Sequence, residues 1–416
     1  MFKKIPGTKD ILPEETGRWQ KIEEAARRIF RLYNYSEVRT PIIEDIGLFN
    51  RSLGQSSEII QKQMFVIKNA SDTYALRPEG TASVVRAYLE NNLDKNQGLV
   101  KFYYLGPMFR LERPQKGRLR QFHHLGCEVI GSASPMVDVE VISLADALLK
   151  AFSITGYSIQ INSLGCTKDK KELTRLLEKG LKPKLSRFCA DCQVRFKRNV
   201  LRILDCKNET CKEEVAKLNL KDNYLCSDCK GHAQKVMQGL DSLKIKYEVN
   251  PYLVRGLDYY TRTVFEIKHS ALGAQDAVGA GGRYDNLIKE LGGPDAAAMG
   301  FAFGMERLLL SAAGDTAPEK EELVYLITLG EAAEKEGLKI LNGLRQAGVS
   351  CDTDYEGKSL KGAMRRANDA CARYVLILGE DELKKKVIAL KDMQSGQQQE
   401  VPLDKLTAEL KNRLRY

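Results

Sequence analysis

Residues 106–131 read GPMFRLERPQKGRLRQFHHLGCEVIG, and they set Arg113, Lys116, Arg118 and Arg120 within eight positions between two apolar runs. Cations this dense on a short loop suit a polyanion, because each guanidinium offers forked donors to phosphate oxygens. Just before the loop, Arg110 and Glu112 stand two apart, so on a strand both project from one sheet face. The first can bind a phosphate, and the second can accept from an amine. The competing reading is a solvated basic hairpin in which Arg110 and Glu112 simply pair.

Four further segments carry reactive residue types. LRPEGT, Leu76 to Thr81, puts Glu79, Gly80 and Thr81 at the entry to a helix. That carboxylate can bind an ammonium group, or serve only as the acid favoured at a helix N-terminus. RGLDYYTRTVFE, Arg255 to Glu266, joins an arginine to Tyr259 and Tyr260, two hydroxyls able to orient a polar ring. AGGRYDNL, Ala280 to Leu287, joins a glycine pair to Arg283 and Tyr284, and the glycines permit close approach to a ligand. GFAFGMERL, Gly300 to Leu308, sets small residues before a helix carrying Glu306 and Arg307. No P-loop and no strand-linked Gly-x-Gly-x-x-Gly occurs, so a nucleotide must be held in another way.

These residues need positioning elements, and the apolar periodicity supplies them. Strands are expected at Val100 to Leu105 and His123 to Ile130, with Pro107, Pro114 and Gly117 interrupting regular structure between them. Further strands are expected at Ser36 to Thr40, Ser158 to Asn162, Val249 to Leu253, Thr263 to Lys268 and Ala277 to Ala280. Helices are expected at Arg18 to Leu32, Thr81 to Leu93 and Asp138 to Phe152. Consecutive strands with separate helices favour an α+β body with an antiparallel sheet. A linker is expected at Ala312 to Glu322. Beyond it, strands at Val324 to Thr328, Val349 to Thr353 and Tyr374 to Leu378 alternate with helices at Ala332 to Arg345 and Lys358 to Ala372, which implies a small α/β domain. The expected division is therefore 1–164 with 247–317 as a discontinuous body, 165–246 as a helical insertion and 323–416 as the α/β domain.

The net charge of +10 is concentrated: residues 165–246 hold 20 Lys and Arg against 11 Asp and Glu. One basic arm on a nearly neutral body points to a polyanionic partner, nucleic acid above all. No apolar run reaches the ~20 residues of a membrane span, and the charged N-terminal segment is unlike a signal peptide, so a cytoplasmic location is expected. Six of the ten cysteines fall at Cys189, Cys192, Cys206, Cys211, Cys226 and Cys229. The two CxxC pairs, 33 residues apart, could jointly supply four thiolates to zinc, with His232 as a further candidate. Free cysteines are the favoured reading, and no metal ligand is assigned. Cys127, Cys166, Cys351 and Cys371 are expected to pack as small apolar side chains.

Taken together, these motifs resemble class II aminoacyl-tRNA synthetases, and specifically the bacterial histidyl-tRNA synthetase family, over essentially the whole chain. Arg39-Thr40-Pro41 is similar to motif 1, Phe109 to Glu112 with the following loop to motif 2, and Gly300 to Arg307 to motif 3. Arg255 to Glu266 and Ala280 to Asp285 resemble the histidyl-specific segments. The resemblance implies activation of L-histidine by ATP, with magnesium, to histidyl-adenylate, then transfer to the 3′ end of tRNA(His). It implies catalytic roles for Arg255 and Arg110, and ATP contacts from Arg110, Glu112, Phe122 and Arg307. Glu79, Gly80, Thr81, His124, Glu128, Tyr259 and Tyr260 are implied to bind histidine. Gln115, Arg118 and Arg120 would meet the tRNA acceptor end, the insertion would clamp the acceptor stem, the C-terminal domain would read the anticodon, and the enzyme would be a homodimer. His124 departs from the family pattern, which has glutamine there. A non-catalytic relative regulating ATP phosphoribosyltransferase would lack the motif arginines, the insertion and the C-terminal domain.

Overall fold

The computed structural model describes residues 2–54, 57, 59–96, 98–115, 117–273, 276–312 and 322–414. Lys116 and most of the expected linker, 313–321, lie outside the described residues. The chain forms two compact units, Met1–Ala317 and Pro318–Tyr416.

The first unit is built on a sheet of eight strands among the described residues, in the order Ser36–Glu37, Val100–Phe109, Gln121–Ile130, Ala298–Gly304, Ala277–Arg283, Thr261–His269, Tyr157–Ser163 and Glu248–Val249. Its inner six strands pair antiparallel, and only the two short edge strands pair parallel. Period two decides which side chains meet which layer. Leu125, Cys127 and Val129 enter a core with Met299, Phe301 and Phe303. The helices Pro13–Leu32 and Pro135–Ala151 cover that face, the first through Trp19, Ile22, Ala26 and Phe30 at helical spacing. The alternate residues, His124, Gly126 and Glu128 on one strand and Gly300, Ala302 and Gly304 on the next, turn to the opposite face, where the helix Thr81–Glu90 packs.

The central hairpin is longer than its sequence suggests. Its first strand runs on through Gly106 and Pro107, with Pro107 opposite His123, so Pro107 does not interrupt it. The reason is positional: the neighbouring edge strand pairs only at Phe102 and Tyr103, so the outer edge at Pro107 has no ladder partner needing an N–H. Arg110 and Glu112 do not share a strand face as expected. The strand stops at Phe109, and a tight turn in which the Glu112 amide donates to the Arg110 carbonyl carries them instead. AGGR is likewise strand interior: the space a Gly281 side chain would fill belongs to Phe301, Phe265 and the Gly300 carbonyl, rather than to a ligand.

Between Thr167 and Tyr224 short helices enclose their own core, with Leu173, Leu177, Leu181, Phe188 and Val200 beside Cys192, Cys211 and Cys229. The helix Ser227–Ser242 instead sends Val236 and Leu240 into the sheet's core. In the second unit, strands Cys351–Thr353, Val324–Thr328 and Tyr374–Leu378 pair parallel, and a hairpin, Val387–Asp392 with Gln398–Pro402, extends the sheet antiparallel. Alternating residues Leu326 and Tyr325 enter separate cores on its two faces, as a sheet between helices requires.

Candidate active site

A cavity of about 340 Å³ opens on the sheet face opposite the main core. Its walls gather residues from five separated segments: Glu79, Gly80 and Thr81; Arg110, Glu112, Arg118, Phe122 and His124; Arg255, Tyr259 and Tyr260; Tyr284; and Arg307. Gln115 and Arg120 are outside it. Gln115 bridges Arg118 across the loop, and the Arg120 amide donates to the Gly7 carbonyl at 2.7 Å.

The inner end is a closed polar network around Glu128, which lies beneath the cavity wall rather than on it. Thr81 Oγ1 donates to Glu128 Oε1 at 2.7 Å, Tyr104 Oη to the same oxygen at 3.2 Å, and Tyr284 Oη to Oε2 at 2.6 Å. Gly300 makes room for this carboxyl, since a side chain there would strike Oε2. Three donors to a carboxylate would stabilise its charge by roughly 1.5–3 kcal/mol each. Burial nevertheless wins and lifts the Glu128 carboxyl to about 8. Tyr104 and Tyr284 were missed as site residues. Tyr284 lay inside a highlighted motif, but nothing local marks Tyr104 apart from other strand tyrosines.

Glu79 caps the helix Thr81–Glu90, accepting from the Thr81 and Ala82 amides at 2.8 Å each, while still facing the cavity. Burial raises its pKa too, against those backbone donors. Nearby, Arg77 ties the LRPEGT segment to chain on either side of it, donating to the Thr40 carbonyl at 2.8 Å and the Pro107 carbonyl at 3.0 Å. Tyr259 and Tyr260 lie 4.7 Å apart at their ring centroids, and burial pushes the Tyr260 hydroxyl to about 12, so both remain neutral donors. His124 is half-buried and lines the cavity. Burial, reinforced by Arg110 and Arg77, lowers its imidazole to about 3, and Nδ1 is buried with no hydrogen-bond partner. The ring beside it, Phe122, meets it edge-on at 5.1 Å.

The outer end is cationic. Arg110 donates to the Pro78 carbonyl at 2.9 Å and covers the Phe122 ring at 5.2 Å. Its separation from Glu112 is 4.0 Å, whereas Arg118 approaches Glu112 to 3.2 Å, so the simple Arg110–Glu112 pair is the weaker contact. Arg307 donates to the Gly117 carbonyl at 2.9 Å, fastening the hairpin loop over the cavity. Arg255 pairs with Glu266 through Nη1, but its Nε is buried without a hydrogen-bond partner. Arg283, by contrast, is a structural arginine, fully buried against Asp138 and the carbonyls of Ser132 and Ser134. Asp205 and Lys207 reach the same cavity from the cysteine-rich segment.

Two cysteine expectations need correction. The CxxC pairs do not converge: Cys189 and Cys192 gather with Cys206 and Cys211, whereas Cys226 and Cys229 gather with Cys166 and Asp169. His232 joins neither, because it is committed to Asp138. Cys166 is thus not an isolated apolar filler, and Cys371 is exposed.

Residues 7–308 match the family model for histidyl-tRNA synthetase, and residues 323–413 match that of an anticodon binding domain. The chain is 46% identical over 404 residues to a histidine–tRNA ligase of Thermodesulfovibrio yellowstonii, covering 97% of this chain and 96% of the relative. It is 44% identical over 417 residues to a histidine–tRNA ligase of Natranaerobius thermophilus, covering 99% of each. Among solved structures, apo Staphylococcus aureus histidyl-tRNA synthetase aligns with a TM-score of 0.81 at 35% identity, over 99% of this chain and 100% of that one.

Proposed function

The chain belongs to the histidyl-tRNA synthetase family, and on that premise we propose that the cavity carries out the histidine–tRNA ligase reaction with the residues gathered there. A histidine carboxylate oxygen attacks the α-phosphorus of ATP, the bond to the bridging oxygen breaks, and pyrophosphate leaves. A ribose hydroxyl at the tRNA 3′ end then attacks the adenylate carbonyl, and AMP leaves. The observation that carries this reading is the unpartnered, buried Nε of Arg255 beside a cavity whose other end is lined by neutral hydroxyls.

Arg255 and Arg110 act electrostatically on the α-phosphate, stabilising charge that grows in the transition state. Phe122 and Arg307 flank the adenine, with Glu112 accepting from its amino group. Glu79, Gly80 and Thr81 receive the α-ammonium group, while Tyr259, Tyr260 and His124 face the imidazole. Glu128 supports that end through Thr81 and Tyr284. Magnesium would accompany ATP and offset the negative charge of its phosphates. The cavity's carboxylates Glu112, Glu266 and Glu306, which already serve Arg118, Arg255 and His123, are the side chains that would hold it there.

Gln115, Arg118 and Arg120 lie on the hairpin loop, where the tRNA acceptor end would approach. With 1–164 and 247–317 as the catalytic body, the basic insertion 165–246 would clamp the acceptor stem, and 323–416 would read the anticodon of tRNA(His). Exposed Ile42, Ile43, Val66 and Ile67 lie on or beside one small sheet and suit a homodimer contact. Among the described residues no helix is long and apolar enough to cross a membrane, which accords with a cytoplasmic enzyme. Histidine-dependent ATP–pyrophosphate exchange tests the proposal. Exchange supported by proline or threonine but not by histidine would sink it.

A further inference from the structure

The thiol groups of Cys189, Cys192, Cys206 and Cys211 lie within 4.8 Å of one another, three of them buried, in the core of the helical segment. From this geometry we propose a structural zinc site made of these four thiolates, which fixes the loop carrying Asp205 and Lys207 at the rim of the active-site cavity.

The spacing is C-x2-C-x13-C-x4-C, compatible with tetrahedral coordination by short-range pairs from two local elements. A tetrahedron with Zn–S bonds of about 2.3 Å has sulfur–sulfur edges of roughly 3.8 Å, and Cys189 and Cys206 stand 3.8 Å apart. Backbone amides already point at the sulfurs as they do around bound thiolates: the Cys189 amide donates to Cys211 Sγ at 3.3 Å and the Asn208 amide to Cys206 Sγ at 3.4 Å. The local elements support this arrangement. Cys189 caps the helix Ala190–Arg198, and Asn208 caps the helix Glu209–Ala216, accepting from the Cys211 amide.

The second cluster differs in kind. Asp169 uses both oxygens on backbone amides, of Cys166 at 3.2 Å and Cys226 at 3.0 Å, so it satisfies its neighbours without an ion and leaves three thiols. A soft, four-thiolate site favours zinc over harder divalent ions. The consequence for the active site follows from sequence adjacency. Asp205 and Lys207 flank Cys206 directly, and both line the cavity.

The test is metal analysis of the full chain, purified reduced and without chelator, with Cys206→Ser and Cys226→Ser alongside. About one zinc per chain is expected in the parent and in Cys226→Ser, and under about 0.3 in Cys206→Ser. Cobalt exchanged into the parent protein should show the thiolate charge-transfer and visible bands of a tetrahedral tetrathiolate site, a readout that does not depend on any variant folding. Parent zinc below about 0.3 equivalents, zinc that leaves with Cys226→Ser yet stays in Cys206→Ser, or cobalt protein without those bands would each overturn the proposal.

Discussion

At the inner end of the cavity every hydroxyl that faces Glu128 is committed to it, whereas at the outer end Arg255 keeps a buried donor uncommitted. Both ends are buried and polar, so burial alone does not distinguish a scaffold from a reactive group. The distinction lies in saturation. A saturated network fixes geometry, because removing one member strands the others. An unsaturated donor is held in place by its neighbours and is available to charge that exists only during reaction. Arg283 gives a contrast within one residue type: it is more deeply buried than the cavity-lining Arg255, and its guanidinium is held by Asp138, Asp285 and main-chain carbonyls away from that cavity.

The largest effect should come from the unsaturated end. Arg255→Ala is expected to lower histidine-dependent exchange by about 10²–10³-fold, the usual loss for one preorganised oxyanion donor. Melting temperature should change far less than activity, because the side chain's one carboxylate partner, Glu266, also faces Lys268. A loss of stability matching the loss of activity would erase the contrast between the two ends.

The saturated end should respond in the opposite proportion. Glu128→Ala leaves three buried hydroxyls without their acceptor, at about 1–3 kcal/mol for an unsatisfied group. Calorimetry should show destabilisation of about 3 kcal/mol, and KM for histidine should rise by roughly tenfold with a smaller change in kcat. Glu128→Gln should recover most of both, because a carboxyl lifted to about 8 is mainly neutral at pH 7 and an amide imitates it. If glutamine behaved like alanine, the charged form would be the working one.

That neutrality has a pH signature. Glu128 holds its proton in the folded state up to about 8 but releases it near 4.5 when unfolded, so its contribution is full at low pH and is lost as pH rises through about 8. Glu79 shifts in the same direction through burial. His124 runs the other way: lowered from 6.5 to about 3, it costs stability below 6.5 and nothing above. Between pH 7 and 8 the Glu128 carboxyl is losing its proton while His124 is silent, so its contribution should make melting temperature fall with rising pH. The Glu128→Gln protein should show a visibly flatter slope in the same scan. Equal slopes would place the carboxyl's titration elsewhere.

The sequence revealed the outer end better than the inner one, for a physical reason. Guanidiniums near glycines and prolines announce themselves locally, and Arg110, Arg255 and Arg307 all line one cavity. The antiparallel α+β body and the C-terminal α/β unit were also legible, because periodicity is local. The Glu128 network was only partly legible, because it depends on cross-strand register: Gly300 lies opposite Glu128, and Tyr104 is placed by the neighbouring strand. The same limit explains the cysteines. Adjacent CxxC pairs invite one shared site, but the helix Ala190–Arg198 and the loop at Cys206 bring together a different four. Pro107 misled in the other direction, since its tolerance depends on which strand edge is open.

The smallest effect should come from the residue that departs from the family pattern. His124 sits between the two ends, with an unpartnered Nδ1 like Arg255 but a neutral ring like the tyrosines. A glutamine there would also offer one acceptor and one donor group without charge, so the exchange gains or loses about one neutral hydrogen bond, roughly 0.5–1.5 kcal/mol. KM for histidine should accordingly move by less than about tenfold in His124→Gln. The pH profile of exchange between 6 and 8 should be unchanged, because an imidazole lowered to about 3 does not titrate there. A step near pH 6.5 that disappears in His124→Gln would show that the ring becomes charged in use, and would move His124 from the neutral inner end of the cavity to its cationic outer one.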